Sequence, residues 1–327
     1  YTVWKTTASS GILSLITPDP FMEDVEVTLL ISDGAEKTIM RTISLSLEYD
    51  DSYIIRYESN TGEKLSLDIP STLSHTYSDG KGEIIFGTKV KTVTGFNGRT
   101  DLKSVTIPPT AETIGNAAFK DCTGLYKIDI PEGVKTIEDY AFSGCTSLTK
   151  LDLSKWNTSK INSFEKMFAG CTRLYNLNIN GFDTSNATDM NNMFNGCTNL
   201  LNVSVDYNVS KVKNMQGIFA GCKKITSLDL NSWDTSEVEN ISQMFSNCTG
   251  LASILVDKWN TAKINDMSHL FNGCEKITTL DLNSWNTSEV VDMSYMFNNC
   301  TSLVTIEMGN CNVEKVNNMS HMFNNCS

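Results

Sequence analysis

The chain has 327 residues, of which 40% are hydrophobic, and its formal net charge is −12. This length allows one large domain or two ordinary ones, and the apolar content is sufficient for a core. An excess of acidic side chains repels phosphate backbones, so we expect no nucleic-acid partner. No run of about 18 apolar residues occurs that could cross a bilayer, so we expect no membrane insertion within this chain.

Residues 1–92 contain no cysteine and no repeat. They contain short runs of β-forming residues, separated by turn residues at roughly 10-residue spacing, which is typical of a small all-β sandwich. The predicted strands are 25–31, 42–47, 53–57 and 82–86. Residues 74–80 resemble the turn before a late strand in polycystic-kidney-type and other immunoglobulin-like domains of surface proteins. Residues 1–92 are therefore predicted to form an immunoglobulin-like sandwich.

A phenylalanine followed three residues later by a cysteine occurs nine times. Successive cysteines are 26 residues apart, except for one gap of 23 and one of 25. A nearly constant period in this range is typical of a solenoid, in which each repeat forms one coil that packs against its neighbours. We predict a solenoid of about ten coils over residues 93–327, with an incomplete last coil. The pairs are Phe119/Cys122, Phe142/Cys145, Phe168/Cys171, Phe194/Cys197, Phe219/Cys222, Phe245/Cys248, Phe271/Cys274, Phe297/Cys300 and Phe323/Cys326.

Each repeat has a strand signal after the cysteine. Residues 225–230, for example, have the L-x-x-L-x-L form of a leucine-rich repeat. Successive side chains of a strand face opposite ways, so Leu228 and Leu230 should point inward and Asp229 outward. Each coil is therefore predicted to add one short parallel strand to the solenoid.

The segment before each phenylalanine predicts a short helix. In the coil of Cys248, the residues Val238, Ile241 and Met244 recur at helical spacing. Residues that cap helix N-termini stand five positions before the phenylalanine, and Gly, Asn or Asp stands two positions after it, as at a helix end with positive φ. The predicted fold is mixed α/β, a leucine-rich-repeat solenoid with one short helix per coil after the all-β domain. The expected positive-φ residues are Gly98, Asp121, Gly144, Gly170, Gly196, Gly221, Asn247, Gly273, Asn299 and Asn325.

Nine of the ten cysteines share one position of the repeat. They should form a row along the solenoid with neighbours about 4.8 Å apart. Parallel Cβ directions disfavour disulfides, and a zinc site needs four converging ligands, which a row does not provide. We predict buried, reduced cysteines that pack as small hydrophobic residues. A disulfide framework is the alternative.

Two repeat forms carry a family resemblance. Residues 130–145 have the form I-P-x-x-V-x-x-I-x-x-x-A-F-x-x-C, and residues 285–300 the form W-x-T-S-x-V-x-x-M-x-x-M-F-x-x-C. These forms resemble the BspA-like, or Treponema pallidum-type, leucine-rich repeats of bacterial surface proteins, including the 26-residue surface-protein repeat. The resemblance implies an extracellular, cell-anchored protein that serves adhesion or ligand binding. We expect the signal and anchor segments to be absent from this chain.

The outward strand positions form one row on the solenoid, from Asp129 to Glu307. A charge row is usually a solvated face, which is the favoured interpretation here. The alternative is ligand contact, since solenoids present extended binding surfaces. Calcium needs 6–8 oxygens around one point, which a row does not gather. The candidate ligand-binding residues are Asp152, Tyr175, Asn178, Asp229, Asp281 and Glu307, and the row also includes Ser204 and Leu255.

The remaining aromatic and reactive residues do not indicate chemistry. The aromatic series from Trp156 to Trp285 and the methionines are predicted to be core. His269 and His321 occupy the same repeat position two coils apart and cannot converge. We therefore predict no enzymatic activity, catalytic residue, cofactor or metal. The hypothesis is a monomeric cell-surface protein that binds an extracellular protein or glycan. A structural spacer or fibre element, a phage receptor-binding protein and an accessory of a carbohydrate-active enzyme remain alternatives.

Overall fold

The computed structural model describes the backbones of strands 5–9, 12–16, 25–32 and 38–45, and residues 51–326 except 155, 157, 181, 202, 204–206 and 310. One short 3-10 helix, Asp51–Tyr53, precedes the fifth strand. The strands are β1 (Lys5–Ser9), β2 (Ile12–Ile16), β3 (Val25–Ser32), β4 (Thr38–Leu45), β5 (Ile54–Ser59), β6 (Thr72–Ser78), β7 (Lys81–Phe86), β8 (Thr92–Val93), β9 (Leu102–Thr106), β10 (Thr113–Ile114), β11 (Lys127–Asp129), β12 (Thr136–Ile137), β13 (Lys150–Asp152), β14 (Asn176–Asn178), β15 (Ser227–Asp229), β16 (Ser253–Leu255), β17 (Thr279–Asp281) and β18 (Thr305–Glu307).

The N-terminal strands are antiparallel. Strand β1 pairs with β2, and β3 with β4. The hairpin of β6 and β7 turns at Asp79 and Gly80, both with positive φ, as a tight hairpin turn requires. The strands predicted at 25–31, 42–47, 53–57 and 82–86 are present, with shifted ends. The immunoglobulin-like arrangement stays a prediction.

One sheet extends across residue 92. Its five strands have the order β11-β9-β5-β7-β6, and β5 pairs antiparallel with β9, which lies in the first coils. Tyr57 pairs with Val105 in this register, and both are buried. Residues 54–86 therefore supply the strands that continue the solenoid sheet at its N-terminal side. The domain division at residue 92 stays a prediction.

Beyond β9 the coils pair parallel and in register. Ile128 lies beside Val105, Leu151 beside Leu177, and Leu280 beside Ile306. In the three-residue strands β11 and β13 to β17 the central residue is buried and at least one of its neighbours is exposed. The predicted parallel strand is confirmed in the coils whose strand residues the structure describes, and the strand predicted after Leu200 falls mostly on residues outside that description.

The predicted helix in each coil is wrong. The residues that the structure describes contain no α-helix, and the solenoid is a β-solenoid. In the coil of Cys248, the amides of Gln243 and Phe245 donate to carbonyls of the next coil, at Ser268 and Leu270, with N···O distances of 2.8 and 3.0 Å. A helix would direct these amides to the carbonyl four residues earlier.

The alternate amides of the same segment close tight turns. Met244 N donates to Ile241 O at 3.2 Å, and Cys248 N to Phe245 O at 3.1 Å. The third residue of each turn, Gln243 or Asn247, has φ near +58°, as in type II turns. A residue with positive φ interrupts a right-handed helix, so the i, i+3, i+4 spacing here arises from consecutive turns.

The predicted positive-φ residues are confirmed. All ten positions from Gly98 to Asn325 have φ between 57° and 75°. A second row with positive φ, four residues earlier in the nine coils after that of Gly98, was not predicted, because most of its residues are not of the types that favour this conformation. Its members are Ala117, Tyr140, Lys166, Asn192, Gly217, Gln243, His269, Tyr295 and His321.

The core consists of rows of equivalent side chains. Ten phenylalanines, from Phe96 to Phe323, stack with ring centroids 5.4–6.0 Å apart. Each cysteine from Cys122 to Cys326 in the repeat position donates its S–H to a phenylalanine carbonyl of the preceding coil, with S···O distances of 2.9–3.3 Å. The predicted row of cysteines is present, and eight of its nine members are buried as free thiols, whereas Cys326 is partly buried.

The aromatic residues after the strands are also core, as predicted. Trp156, Phe182, Tyr207, Trp233, Trp259 and Trp285 are all buried. The indole N–H groups of Trp259 and Trp285 each donate to a carbonyl of the preceding coil at 3.0 Å. These aromatic faces are therefore not available to stack on a sugar.

The residues predicted as helix caps have another role. Asp189 and Asn240 accept a hydrogen bond from the amide two residues later, each at 2.8 Å. Their backbones form single parallel bridges from coil to coil, from Ser163 to Asn318. They therefore fix the start of the turn segment and a second row of contacts between coils.

Candidate functional site

The outward positions of the strands recur along the five-stranded sheet β11-β9-β5-β7-β6 and the parallel pairs β13-β14, β15-β16 and β17-β18, and together they are called the strand face. Three grooves lie on it, with volumes of 590, 460 and 370 Å³. The first crosses β6, β7, β5 and β9, and the second crosses β11 and β13. The third is lined by Thr149, Arg173, Tyr175, Asn199, Leu201 and Lys224. This surface is the candidate site.

The predicted acidic row lies on this surface as a line. Asp152 and Asn178 end the neighbouring strands β13 and β14, and Asp281 and Glu307 end β17 and β18. Asp229 ends β15, and Ser204 lies outside the described residues. The structure thus aligns the candidate carboxylates one per coil and does not bring them to one point.

Most residues of the acidic row also fix the turn after their strand. Asp229 accepts a hydrogen bond from the amide of Asn231 at 3.1 Å, and Asp281 from that of Asn283 at 3.0 Å. Asp152 likewise accepts a hydrogen bond from the amide of Ser154 at 2.9 Å. A carboxylate or amide side chain that bonds the amide two residues later stabilises a turn. This local role accounts for the recurrence of Asp at the position.

A row of tyrosines and cations lies beside the acidic row. The exposed fractions of Tyr126 and Tyr175 are 45% and 41%. The ammonium group of Lys150 lies 5.7 Å from the ring centroid of Tyr175, within the range of a cation–π contact. Lys127 pairs with Asp129 at 3.0 Å, and this hydrogen bond raises the pKa of Lys127. Charges near the second groove are therefore partly neutralised within the chain.

The third groove carries cations without carboxylate partners. Arg173 and Lys224 are exposed, and neither forms an ion pair with another residue of the described chain. Leu201, on the same groove, is 51% exposed.

Our sequence analysis selected Tyr175 but missed Arg173, Leu201 and Lys224. Apart from Tyr175, the selected residues all lie at the outward strand position, whereas the missed residues lie two and four positions after their cysteines. Those two positions contain the signal, because Arg173, Tyr175, Leu201 and Lys224 occupy them in three consecutive coils.

The histidines of the solenoid lie in a row, as their repeat position predicts. The rings of His269 and His321 stack on opposite faces of Tyr295, with centroid distances of 4.6 Å. In the described part of the chain no three His, Cys, Asp or Glu side chains form a group that could hold a metal ion. Among the same residues no helix has the length and apolar content needed to cross a membrane.

Comparison with solved structures finds leucine-rich repeat proteins. One from Bacteroides ovatus is 18% identical, with 94% of this chain and 92% of that chain covered and a TM-score of 0.27. A leucine-rich cell surface protein from Faecalibacterium prausnitzii is 18% identical, with coverages of 73% and 86% and a TM-score of 0.30. The leucine-rich repeat protein of T. pallidum is 12% identical, with coverages of 74% and 81% and a TM-score of 0.27. The resemblance to BspA-like leucine-rich repeats is confirmed.

Sequence comparison gives one family. No protein with a curated description matches the chain. A family model described as "Mycoplasma protein of unknown function, DUF285" matches residues 136–254 and 215–327, which together make up more than half of the chain. Both matched segments lie within the β-solenoid and contain the repeated phenylalanine and cysteine. The chain belongs to this family, DUF285.

Proposed function

We propose that the chain is a recognition module of a bacterial cell surface, which binds an extracellular protein or glycan through the outward face of its strands. The observation that carries the proposal is the exposure of Tyr126, Tyr175 and Leu201 on one face. Side chains of this kind supply much of the binding energy of protein surfaces. The resemblance of the repeats to BspA-like surface proteins supports the extracellular location.

The distribution of polar contacts supports the choice of this face. Elsewhere on the coils, polar side chains bond a neighbouring coil: Thr261 donates to Asn286 O of the next coil at 2.9 Å, and Asn298 Nδ2 to Asn272 Oδ1 of the preceding coil at 2.7 Å. On the strand face, Arg56 pairs with Glu83 and Lys103 with Glu58, whereas Arg173 and Lys224 form no ion pair with another described residue. A surface that retains unpaired charge next to apolar groups is suited to a partner.

The test is an array of extracellular proteins and glycans, probed with the intact chain and with the triple variant Tyr126→Ser/Tyr175→Ser/Leu201→Ser. We expect partners that the intact chain captures and the triple variant does not. The control is Val291→Ser, which replaces a 39% exposed apolar residue away from the strand face. Capture that the triple variant retains in full, or no capture by the intact chain, would contradict the proposal.

A structural spacer is the second candidate. The observation that favours it is the unbroken Phe96 to Phe323 stack, since a rod of stacked coils holds its two ends apart whatever its surface carries. Serine at every exposed strand position would then leave the phenotype of the producing cell unchanged. The recognition module predicts loss of attachment in the same variant.

A further inference from the structure

We propose that the third groove binds an acidic peptide segment whose carboxylates flank an aliphatic side chain. This inference rests on the proposed function and names the ligand class at one part of the strand face. The site, called the cationic groove from here on, consists of Thr149, Arg173, Tyr175, Asn199, Leu201 and Lys224.

The cationic groove has two parallel rows. Arg173, Asn199 and Lys224 share the second position after the cysteine of their coils, so the two cations are two coils, or about 10 Å, apart. Thr149 and Tyr175 share the fourth position after the cysteine and belong to adjacent coils, since Tyr175 N donates to Thr149 O at 3.2 Å. Leu201 continues that row in the next coil. Cations therefore lie along one side of the groove and apolar groups along the other.

The charge of the surroundings favours an anion at this place. In several coils the outward strand position holds aspartate, as at Asp152, Asp229 and Asp281. In the two coils that supply Arg173, Tyr175 and Leu201, this position holds Asn178 and Ser204. The carboxylate row is thus interrupted in the coils of Arg173 and Leu201, and it resumes with Asp229 in the coil of Lys224. In a chain with net charge −12, a local positive field of this kind attracts an acidic partner against the overall repulsion.

The apolar side of the groove favours a peptide over an anionic glycan. Lys150 lies over the ring of Tyr175, so the stacking face that a sugar would use is shared with an ammonium group. Leu201, at 51% exposure, adds an aliphatic contact that sugar hydroxyls do not satisfy. An aliphatic side chain between two carboxylates matches both rows.

The probe is a fluorescein-labelled peptide with the repeated sequence Glu-Leu-Pro-Glu. In polyproline II conformation, glutamates three residues apart lie on one side with about 9 Å between them, close to the separation of the two cations. Binding is measured by fluorescence anisotropy with the full chain. Matched probes replace Glu by Gln or Leu by Ser, and tetragalacturonate represents an anionic glycan.

We expect Arg173→Ala and Lys224→Ala to weaken peptide binding by about threefold each and about tenfold together, since exposed ion pairs are modest and distant sites add. Tyr175→Ser should remove the preference for the leucine-containing probe. Lys276→Ala is the matched control, because Lys276 is exposed and holds the same repeat position outside the groove; it should leave binding unchanged. Unaltered circular dichroism of each variant checks folding.

Four results would overturn the inference. The first is a loss of peptide affinity in Lys276→Ala as large as that in the groove variants. The second and third are binding of the glutamine-substituted or the serine-substituted probe as tightly as the original peptide. The fourth is binding of tetragalacturonate without binding of the peptide. If the intact chain captures a partner on the array and Arg173→Ala/Lys224→Ala captures it undiminished, the proposed function stands and this inference fails. If the intact chain captures nothing, both fail.

Discussion

Burial decides the chemistry of the cysteine thiols. Burial raises the pKa of Cys171 and of Cys248 to about 12, because the thiolate would lose its hydration inside the core. The S–H donates to a carbonyl of the preceding coil, which also requires the protonated form. These thiols therefore act as packing groups and not as nucleophiles.

Alkylation of the native chain tests this. At pH 8, iodoacetamide should label Cys311 and Cys326, which are only partly buried, and leave the eight buried cysteines unmodified. Mass spectrometry of tryptic peptides gives the sites. The same reaction in guanidinium chloride should label all ten. Rapid labelling of Cys248 in the folded chain would contradict the burial.

The raised pKa values also predict a dependence of stability on pH. An unfolded thiol titrates near pH 8.5, and the folded ones titrate near 12. Because the folded pKa is the higher, the stabilisation is complete below about pH 8 and is lost as the pH rises towards 12. Urea unfolding at pH 7, 9 and 10.5 should show falling midpoints above pH 9. The decline should be shallower in Cys248→Ala, and an equal decline would contradict the assignment.

The conformation of Gly196 gives a backbone test. Its φ is +75°, and an added Cβ would meet the Gly170 backbone at an ordinary distance of 3.5 Å, so only the conformation is costly. We expect Gly196→Ala to lower the free energy of unfolding by about 1–2 kcal/mol. Gly196→Asn should cost less, because Asn247, Asn299 and Asn325 adopt the same φ. Equal urea midpoints for the two variants would contradict the left-handed turn.

At the scale of the element, the turn segment replaces the helix. Its amides alternate between a turn within the coil and a carbonyl of the next coil, so neighbouring coils are needed to satisfy the segment. An isolated repeat therefore has no stable fold of its own, in agreement with the behaviour of solenoids in general.

The period, the strand after the cysteine, the buried aromatic and cysteine rows, and the first positive-φ row could be predicted from the sequence, whereas β1, β2, β6, β8, β10 and β12 were not predicted. Each predicted feature has residues of one chemical type at one position. The helix could not be excluded, because the spacing of Val238, Ile241 and Met244 fits turns and a helix equally well. The second positive-φ row holds residues as different as Ala117, Tyr140 and Lys166, so neighbouring coils impose that conformation. The cationic groove could not be predicted, because it requires two rows of exposed side chains to lie next to each other. The strand period alone does not show which rows are neighbours.

Two phenylalanines of the stack differ in what covers them. Phe245 is fully buried between Phe219 and Phe271, whereas Phe323 is 52% exposed with one stacked neighbour. We expect Phe245→Ala to destabilise the chain by about 3–5 kcal/mol, as for large cavities in cores. Phe323→Ala should cost far less. Thermal unfolding measures both, and equal losses would contradict the stacked core.

At the scale of the whole molecule, one sheet face extends from the N-terminal hairpin into the solenoid. Strands β5, β7 and β6 pair antiparallel and extend the sheet that β9 and β11 form. The outward surface of this sheet therefore includes strands that precede the coils. The three grooves lie in order along it. A large ligand could contact several coils and this N-terminal sheet at once.

The claim on which all of this depends is that equivalent residues lie above one another in a single stack. Sulfur positions from anomalous diffraction test it most directly. The account predicts one row of nine cysteine sulfurs, from Cys122 to Cys326, at about 4.8 Å spacing and with none bonded to another. Sulfurs scattered through the molecule, or paired as disulfides, would contradict it.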